Sequence, residues 1–239
     1  MVRGFTMSDL IRGEIETIKH CIKDGDIAFD IGAHYGEWTS NVRKFYSRCV
    51  VHAFEPLPKA FKALCINQPE YLTVPINYAV SCDNGITDFW EYTNQPHLST
   101  MYKRSSFHMA RHGVPEPLLT SAKKISLDSY CSTCEIDHID FLKIDAEGSE
   151  FDILKGAYDL LDQQKIKYIQ FEYGGCFRDA GITLKEVYLY LNSFGYKTGL
   201  ISVQGVSFIK ECIPAMENHE YGNFLSVCGY DDENILYQN

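Results

Sequence analysis

The chain has 239 residues, of which 45% are hydrophobic and 23% are charged, a composition typical of a folded globular protein. Its 32 acidic side chains outnumber its 22 lysines and arginines, which gives a formal net charge of -10. Nucleic acid is therefore disfavoured as a main partner, because proteins bind it largely by neutralising phosphates with basic side chains.

We expect no membrane partner, no signal peptide and no anchor. No apolar stretch approaches the ~18 residues of a membrane-spanning helix, and the N-terminal segment MVRGFTMSDLIRGEIET carries acidic side chains. The nine cysteines are an odd number, and several lie in apolar runs, which favours reduced thiols and a cytoplasmic location. Cys131 and Cys134 form a CxxC without a second pair at zinc spacing, which disfavours a metal or redox role.

Helices and strands alternate along the first part of the chain, which predicts a parallel sheet with right-handed crossovers. A helix within 1–24 begins near the capping residue Ser8 and ends at Asp24-Gly25-Asp26. The elements predicted next are a buried strand at 27–31, a helix at about 38–46, a strand at 49–54, a helix from 58 to about 67 and a strand around 77–81.

The alternation is interrupted over 84–124, where a predicted strand at 86–92 precedes an irregular segment at 95–119. Loops of this length in a compact domain are usually functional or disordered, and we expect the insertion to contribute to the acceptor site. The elements predicted beyond it are a strand at 139–145, a helix that begins with a Ser149–Asp152 capping box and runs to 161, a strand at 167–173, a helix from Thr183 to Gly195 and strands at 199–203, 206–209 and 224–230.

The turn after the first strand has the pattern D-x-G-x-x-x-G, within FDIGAHYGEWTSN at 29–41. Gly32 and Gly36 allow the backbone to turn tightly and to approach a ligand, and the helix N-terminus that follows favours a carboxylate. Asp30 can bind a ligand ammonium or accept backbone N–H bonds that order the turn. Glu55, at the end of the second strand, is placed to accept both hydroxyls of a ribose.

A dinucleotide ligand is disfavoured at this turn. The motif G-x-G-x-x-G starting at Gly32 would need glycines where the chain has His34 and Glu37. The pattern suits a ligand with a sulfonium and an amino acid tail, namely S-adenosylmethionine. The alternative is an ordinary strand-to-helix turn that binds nothing.

A second group of charged side chains follows the later strands. Lys143 and Asp145 point the same way from an apolar strand, Glu147 follows on the turn, and Glu172 ends the neighbouring strand. Ligands of open parallel sheets bind beyond the carboxyl ends of strands, so these acids and those of the first two strands are expected to line one crevice. Such a crevice attracts a sulfonium, a substrate ammonium or a divalent metal. The alternative is an ion pair from Lys143 to Asp145 or Glu147 that fixes the turn.

The insertion carries histidines and aromatic side chains. His108 and His112 have the i, i+4 spacing of a metal pair, but no helical pattern surrounds them, so solvated loop histidines are favoured. The aromatic residues either form a platform for the flat face of a sugar or pack the insertion onto the sheet. The aromatic set is Trp90, Tyr92, Tyr102 and Phe107, and the predicted substrate-binding residues are Trp90, Tyr92, His97 and Tyr102.

Taken together, five segments resemble the FkbM-type methyltransferases, a branch of the class I S-adenosylmethionine-dependent family. They are FDIGAHYGEWTS, HAFEPLPKAFKAL at 52–64, NYAVSCDNG at 77–85, ISLDSY at 125–130 and IDFLKIDAEGSEFDILKGA at 139–157, of which KIDxEGxExxxLxG is the most specific. The resemblance implies one Rossmann-like α/β domain over 1–239, with a mostly parallel seven-stranded sheet, an antiparallel C-terminal hairpin, helices on both faces and the insertion before the fourth strand.

The same resemblance implies S-adenosylmethionine as cofactor and O-methylation, often of sugars or other hydroxylated small molecules. The first turn would hold the methionine part, Glu55 the ribose, and residues 79–81 would flank the adenine. His34 is a departure, because the family more often has an asparagine at this place in the turn. The predicted cofactor-binding residues are Asp30, Gly32, Ala33, His34, Gly36, Glu55, Pro56, Ala79, Val80, Ser81 and Asp145.

We predict that a hydroxyl of a small molecule or glycan attacks the sulfonium methyl in line, with positioning supplying most of the acceleration. The predicted catalytic residues are Lys143, Asp145, Glu147 and Glu172. Either a carboxylate or histidine takes the hydroxyl proton, or a divalent metal held by Asp145 and Glu172 lowers the hydroxyl pKa.

The alternatives are an RNA or protein methyltransferase, an NAD-dependent oxidoreductase and a non-catalytic binding module. The acidic net charge argues against RNA, the glycine spacing argues against NAD, and the intact Asp30, Glu55 and Asp145 argue against a module that has lost catalysis. The sequence does not predict the oligomeric state.

Overall fold

The computed structural model describes residues 7–68, 71–105, 113, 116–211, 216–217 and 221–228. The helices in this part of the chain are α1 (Met7–Cys21), α2 (Glu37–Phe45), α3 (Pro58–Asn67), α4 (Leu127–Thr133), α5 (Glu150–Lys155), α6 (Tyr158–Asp162), α7 (Gly175–Ala180) and α8 (Leu184–Ser193), with a 3-10 turn at Pro96–Leu98. The strands are β1 (Ile27–Ile31), β2 (Val50–Phe54), β3 (Thr73–Ile76), β4 (Ala79–Val80), β5 (Gly85–Glu91), β6 (Leu118–Ile125), β7 (Ile139–Ile144), β8 (Ile166–Tyr173), β9 (Lys197–Ser202), β10 (Gly205–Phe208) and β11 (Gly222–Val227). Within the same residues, no helix has the length and hydropathy needed to span a bilayer.

A large sheet runs through the molecule with the strand order β10-β9-β11-β8-β7-β1-β2-β3. Strands β3, β2, β1, β7 and β8 pair in parallel, whereas β11 is antiparallel to both β8 and β9. The predicted mostly parallel α/β fold with antiparallel strands at its C-terminal end is confirmed. The sheet has eight strands instead of the predicted seven, because β10 folds back on β9 as a hairpin and extends the edge.

Helices cover both faces of this sheet, as predicted. On one face, Ile18 of α1 and Trp38 of α2 belong to the same core cluster as Val51 and Phe141 of the strands. The larger cluster lies on the other face, where the strand residues that alternate with these pack against helices α4 to α8. All eight cysteines in the described part of the chain are free thiols.

The third strand was predicted at the wrong place. The strand that pairs with β2 is Thr73–Ile76, and Ala79–Val80 instead pairs with β6 in a second sheet of order β4-β6-β5. Pro75 lies within β3 and weakens its strand signal, but a proline is tolerated there because β3 is the edge of the large sheet. Strand β6 was not predicted, since among its side chains only that of Ala122 is buried and no alternating pattern marks it.

The predicted helix from Ser149 to 161 is also corrected. It is two short helices, α5 and α6, which are separated at Gly156. A Cβ atom at Gly156 would lie 2.1 Å from the carbonyl oxygen of Ser81, so this glycine allows the chain to pass close to the end of β4. The predicted capping box is absent, because the Ser149 hydroxyl makes no cap bond and Asp152 instead pairs with Lys155 and accepts from the hydroxyl of Tyr102.

Candidate active site

A cavity opens where β1, β2 and β7 end, between the large sheet and the insertion. The strand ends contribute most of the predicted cofactor residues and the first two acids after β7, whereas the insertion contributes the segment around His97. The lining residues are Ile31, Gly32, His34, Phe54, Glu55, Pro56, Leu57, Tyr78, Ala79, Val80, Phe89, Pro96, His97, Ser99, Met101, Asp145, Ala146, Glu147 and Ser149. Nine residues of the predicted sites are therefore brought together around one space.

The side chain of Asp30, near the end of β1, is buried inside the protein. Its carboxylate interacts with two side chains. The Thr39 hydroxyl donates to Oδ2 at 2.8 Å, and Lys143 Nζ lies 3.1 Å from Oδ1. Asp30 is fully buried, and its contact with a ligand ammonium stays a prediction. Its observed role is to order the turn, although through side chains and not through backbone N–H groups.

The two glycines of the first turn allow close approach between protein segments. Gly32 has φ +77°, and a Cβ atom there would lie 1.9 Å from the carbonyl oxygen of Asp145. Gly36 has φ +88°, and a Cβ atom there would lie 2.9 Å from the side chains of Gln68 and Leu64. The pattern D-x-G-x-x-x-G thus fixes the turn against β7 and α3, a constraint that the sequence did not reveal.

Glu55 is held at the end of β2 with its carboxylate in the cavity wall. Its Oε2 accepts the backbone N–H of His34 at 3.0 Å, and its Oε1 accepts that of Leu57 at 2.8 Å. Burial raises the pKa of Glu55 to about 7, while the two backbone hydrogen bonds act in the opposite direction. A carboxylate fixed in this way retains lone pairs that can accept ligand hydroxyls.

His34 takes a backbone conformation with φ +50°, which brings its ring against that of Tyr35 with the centroids 3.7 Å apart. The ring lines the cavity, and its Nε2 atom is buried without a hydrogen-bond partner. Burial lowers the pKa of His34, so the ring is neutral near pH 7. This nitrogen is available to a ligand.

Lys143 lies among carboxylates below the cavity. Its Nζ is 3.1 Å from Asp30, 3.4 Å from Asp145 and 3.4 Å from the Gly32 carbonyl oxygen. Burial by itself lowers the pKa of Lys143, but the attraction of Asp30, Asp145 and Glu14 outweighs it, and the net pKa is raised. The structural ion pair considered as the alternative is therefore present, and Lys143 is a permanent cation.

The turn after β7 is held by a residue that the sequence analysis did not select. Glu150 is fully buried, and its two carboxylate oxygens accept the backbone N–H groups of Ala146 and Gly148, each at 2.9 Å. Burial raises the pKa of Glu150 to about 8. Glu147 projects from this turn with φ +53° into the cavity wall. The string KIDxEGxE contains both acids. Their spacing alone did not show that Glu147 lines the cavity and that Glu150 holds the turn.

Three carboxylates cluster around the ends of β7 and β8. Oxygens of Asp145, Glu147 and Glu172 lie within 4.8 Å of one another, a spacing that one divalent cation can bridge. Burial raises the pKa of Glu147 to about 7 despite the opposing effect of Arg104. Burial and the charges of Asp145 and Glu147 raise the pKa of Glu172 well above its ordinary value.

The insertion reaches this turn through side chains that have no recognisable sequence signal. The Thr100 hydroxyl donates to the Glu147 carbonyl oxygen at 2.7 Å, and Arg104 Nη2 lies 2.6 Å from Glu147 Oε2.

Glu14 of α1 is another residue near the site that the sequence analysis did not select. It accepts from Gln170 at 2.7 Å and adds to the negative field around Lys143. Long-range partners of this kind cannot be read from local sequence.

Of the predicted substrate-binding residues, His97 lines the cavity and the aromatic ones lie outside its wall. Tyr92 is fully buried, with its ring against Leu98 and Trp90. The hydroxyl of Tyr102 donates to Asp152. These rings therefore pack the insertion, which is the second of the two interpretations.

Among the predicted cofactor residues, Ala33 and Ser81 are buried and do not line the cavity. The predictions for Phe107, His108 and His112 lie outside the described residues.

Two known proteins with similar sequences are named as methyltransferases. The hexuronic acid methyltransferase AglP of Haloferax volcanii is 24% identical over 184 residues, which cover 75% of this chain and 71% of AglP. A protein named Methyltransferase 1, from Beauveria bassiana, is 25% identical over 158 residues, which cover 58% of this chain and 63% of that protein.

The fold is also shared with solved methyltransferase structures. A protein of Clostridium thermocellum assigned as an rRNA methylase superposes with a TM-score of 0.50 at 12% identity, over 93% of this chain and 99% of that one. At this identity the likeness shows the Rossmann-like fold alone. The sequence model described as Methyltransferase FkbM domain matches residues 30–198, which include the end of β1, the first turn, β2, the insertion and the turn after β7. The chain therefore belongs to the FkbM family of S-adenosylmethionine-dependent methyltransferases.

Proposed function

We propose that the protein transfers a methyl group from S-adenosylmethionine to a hydroxyl of a sugar, a glycan or a similar small hydroxylated molecule. The observation that carries the proposal is that Glu55, fixed by two backbone N–H groups, and the acids Asp145 and Glu147 after β7 line the same cavity. The first supplies a nucleoside site, and the second supplies groups that can act on an acceptor hydroxyl.

The cofactor half of the cavity suits a nucleoside with an amino acid tail. Glu55 can accept the ribose hydroxyls, and the backbone at Ala79 and Val80 can flank the adenine. His34, whose Nε2 atom has no hydrogen-bond partner, lines the same cavity. S-adenosylmethionine would supply the activated methyl, so the protein has to orient the acceptor and remove its proton.

Among the predicted catalytic residues, Glu147 is the best placed to accept that proton. It lines the cavity, and its pKa of about 7 is matched to a general base that works near neutral pH. Lys143 stays protonated and so cannot act as the base. Its role is to hold Asp30 and Asp145 in fixed positions, 3.1 and 3.4 Å from its Nζ.

A divalent metal is the alternative way to activate the hydroxyl. Asp145, Glu147 and Glu172 offer a hard, all-oxygen donor set of the type that magnesium or calcium prefers. Glu147 already pairs with Arg104, which competes with a metal for that carboxylate. Methyl transfer that persists in the presence of a chelator would support Glu147 as base, whereas loss and recovery with added magnesium would support the metal.

A sugar acceptor is supported by the resemblance to AglP, whose name records a hexuronic acid as its substrate. The insertion adds His97, Ser99 and Met101 to the cavity, a mixture of polar and apolar groups that suits a partly apolar, hydroxyl-rich molecule. The net charge of -10 supports a small acceptor over RNA.

The proposal is tested in two steps. Calorimetry with S-adenosylhomocysteine should show one site per chain, which Glu55→Gln weakens and which the exposed control Glu116→Gln leaves unchanged. Mass spectrometry of candidate glycans after incubation with labelled S-adenosylmethionine should then show a gain of one methyl. If wild-type protein binds neither S-adenosylmethionine nor S-adenosylhomocysteine, the proposed function is wrong.

A further inference from the structure

Arg104 is a buried cation in the insertion, with 1% of its side chain exposed. Its Nε donates to the carbonyl oxygen of Leu98 at 3.0 Å, and its Nη2 donates to Glu147 Oε2 at 2.6 Å. Its backbone N–H donates to the hydroxyl of Tyr92 at 3.2 Å. The guanidinium is thus fixed at both ends, by the insertion on one side and by the turn after β7 on the other.

A second contact joins the same two segments. The Thr100 hydroxyl donates to the Glu147 carbonyl oxygen at 2.7 Å and accepts the backbone N–H of Tyr102 at 3.1 Å. Thr100 is 1% exposed, so this bond is shielded from water. The insertion therefore forms hydrogen bonds with both the backbone and the side chain of Glu147.

Glu147 needs such support, because its backbone has φ +53°, a conformation that side-chain-bearing residues adopt at a cost. Glu150 orders the neighbouring N–H groups of Ala146 and Gly148, and neither of these bonds involves the Glu147 carboxylate. In the described part of the chain, the hydrogen bond that fixes the direction of this carboxylate comes from Arg104.

We propose that Arg104 is a positioning residue of the methyl-transfer site, which holds the Glu147 carboxylate against the cavity and so couples the insertion to catalysis. The inference rests on the proposed function, since it assigns Glu147 a direct part in the reaction. It also explains why the insertion, whose Trp90, Tyr92 and Tyr102 side chains do not line the cavity, is tied to the turn after β7. The insertion lines part of the cavity and fixes Glu147, an acid of the turn after β7 that also lines it.

The test measures kcat, the acceptor KM and the stoichiometry of S-adenosylhomocysteine binding for Arg104→Gln and Arg104→Lys. Arg104→Gln should lower kcat roughly 10- to 100-fold, the effect of losing one hydrogen bond to a charged group, with the acceptor KM and the binding stoichiometry retained. Arg104→Lys should recover part of the loss, because it keeps the charge but cannot also reach the Leu98 carbonyl. The matched control is Lys103→Gln, which removes a charge from the neighbouring, half-exposed side chain over Trp90 and should leave kcat unchanged.

A purely structural role gives a different pattern. In that case kcat and binding stoichiometry fall together, and Arg104→Lys is no better than Arg104→Gln, which would overturn the proposal, as would an unchanged kcat. If Arg104→Gln does not fold, then Arg104→Lys and Thr100→Val, each with kcat normalised to the S-adenosylhomocysteine sites, decide the question. Either variant should lower the normalised kcat, and wild-type values in both would refute the proposal.

The pairing itself is measurable without turnover. In urea unfolding, the double variant Arg104→Gln with Glu147→Gln should show a coupling of at least roughly tenfold in the unfolding constant relative to the two single variants. Additive effects would overturn the inference even if the enzyme is active. An inactive wild type with strong coupling would instead count against the proposed function and leave the contact standing.

Discussion

Replacement of Gly32 with alanine tests how closely the first turn packs against the end of β7. The alanine Cβ would lie 1.9 Å from the carbonyl oxygen of Asp145, whereas real Cβ contacts are essentially never shorter than 3.0 Å. The separation must therefore grow by about 1.1 Å, the difference between these two distances. Both atoms belong to backbone-fixed groups, so no side-chain rotation can relieve the contact.

Two terms add to the cost. Alanine at φ +77° costs ~1–2 kcal/mol, because its Cβ approaches the following carbonyl oxygen. Overpacking against a rigid neighbour adds ~1–3 kcal/mol. We therefore expect Gly32→Ala to lower the free energy of unfolding by ~2–5 kcal/mol, a large part of the ~5–15 kcal/mol that folded proteins have.

Gly181→Ala is the matched control, because Gly181 has φ +70° and nothing lies within 4 Å of the position that an added Cβ would take. It should show the backbone term alone, ~1–2 kcal/mol. Urea unfolding of both variants gives the steric term as the difference between them. Equal losses of unfolding free energy in the two variants would contradict the close packing of Gly32 on Asp145. They would also contradict the position of the first turn against the end of β7.

Three further predictions concern other carboxylates and a buried histidine. Because the pKa of Glu55 is about 7 and its ionised form accepts hydroxyls best, affinity for S-adenosylhomocysteine should fall as pH drops below about 7, and calorimetry of Glu55→Gln should show weaker, pH-independent binding. Glu150→Gln places an amide donor against one of two backbone N–H groups and should lower the free energy of unfolding by ~1–3 kcal/mol in urea, with a parallel fall in methyl transfer. Burial lowers the pKa of His52 to about 4, so the contribution of His52 to stability should be constant above pH 6.5 and fall by up to ~3 kcal/mol as pH drops from 6.5 to 4. In His52→Asn that part of the pH dependence should disappear, and its persistence would assign the effect to another group.

The sequence predicted the elements whose signals are local. Strand β1 is a short apolar run, and helix α8 begins with the capping box of Thr183 and Glu186, which the structure shows with both reciprocal hydrogen bonds. The acids at strand ends were predicted to meet because parallel strands end at one edge, and Glu55 and Asp145 do line one cavity. In each case the information lies within a few residues or follows from sheet topology.

What the sequence did not show depends on contacts between distant segments. The pattern around Ser149 and Asp152 satisfies the local rule for a capping box, but Tyr102 of the insertion takes the carboxylate that the cap would need. Arg104 lies in an irregular segment where nothing distinguishes a solvated arginine from one buried against Glu147. Both outcomes are tertiary contacts across more than 40 residues, and no local pattern encodes them.

The cavity is lined partly by residues at the strand ends and partly by residues of the insertion. These two sets of residues can change to different extents during evolution. Glu55 and Asp145 follow directly from strands β2 and β7, so their positions are set by sheet register and by the packing of Gly32. The residues around His97 lie instead on the insertion, in a short 3-10 turn between β5 and β6. Their substitution can reshape the acceptor side without disturbing the strand ends, provided that Arg104 and Thr100 still hold the turn after β7. We therefore expect differences in acceptor among relatives to be concentrated in the insertion, and the two residues that anchor it to limit how far it can change.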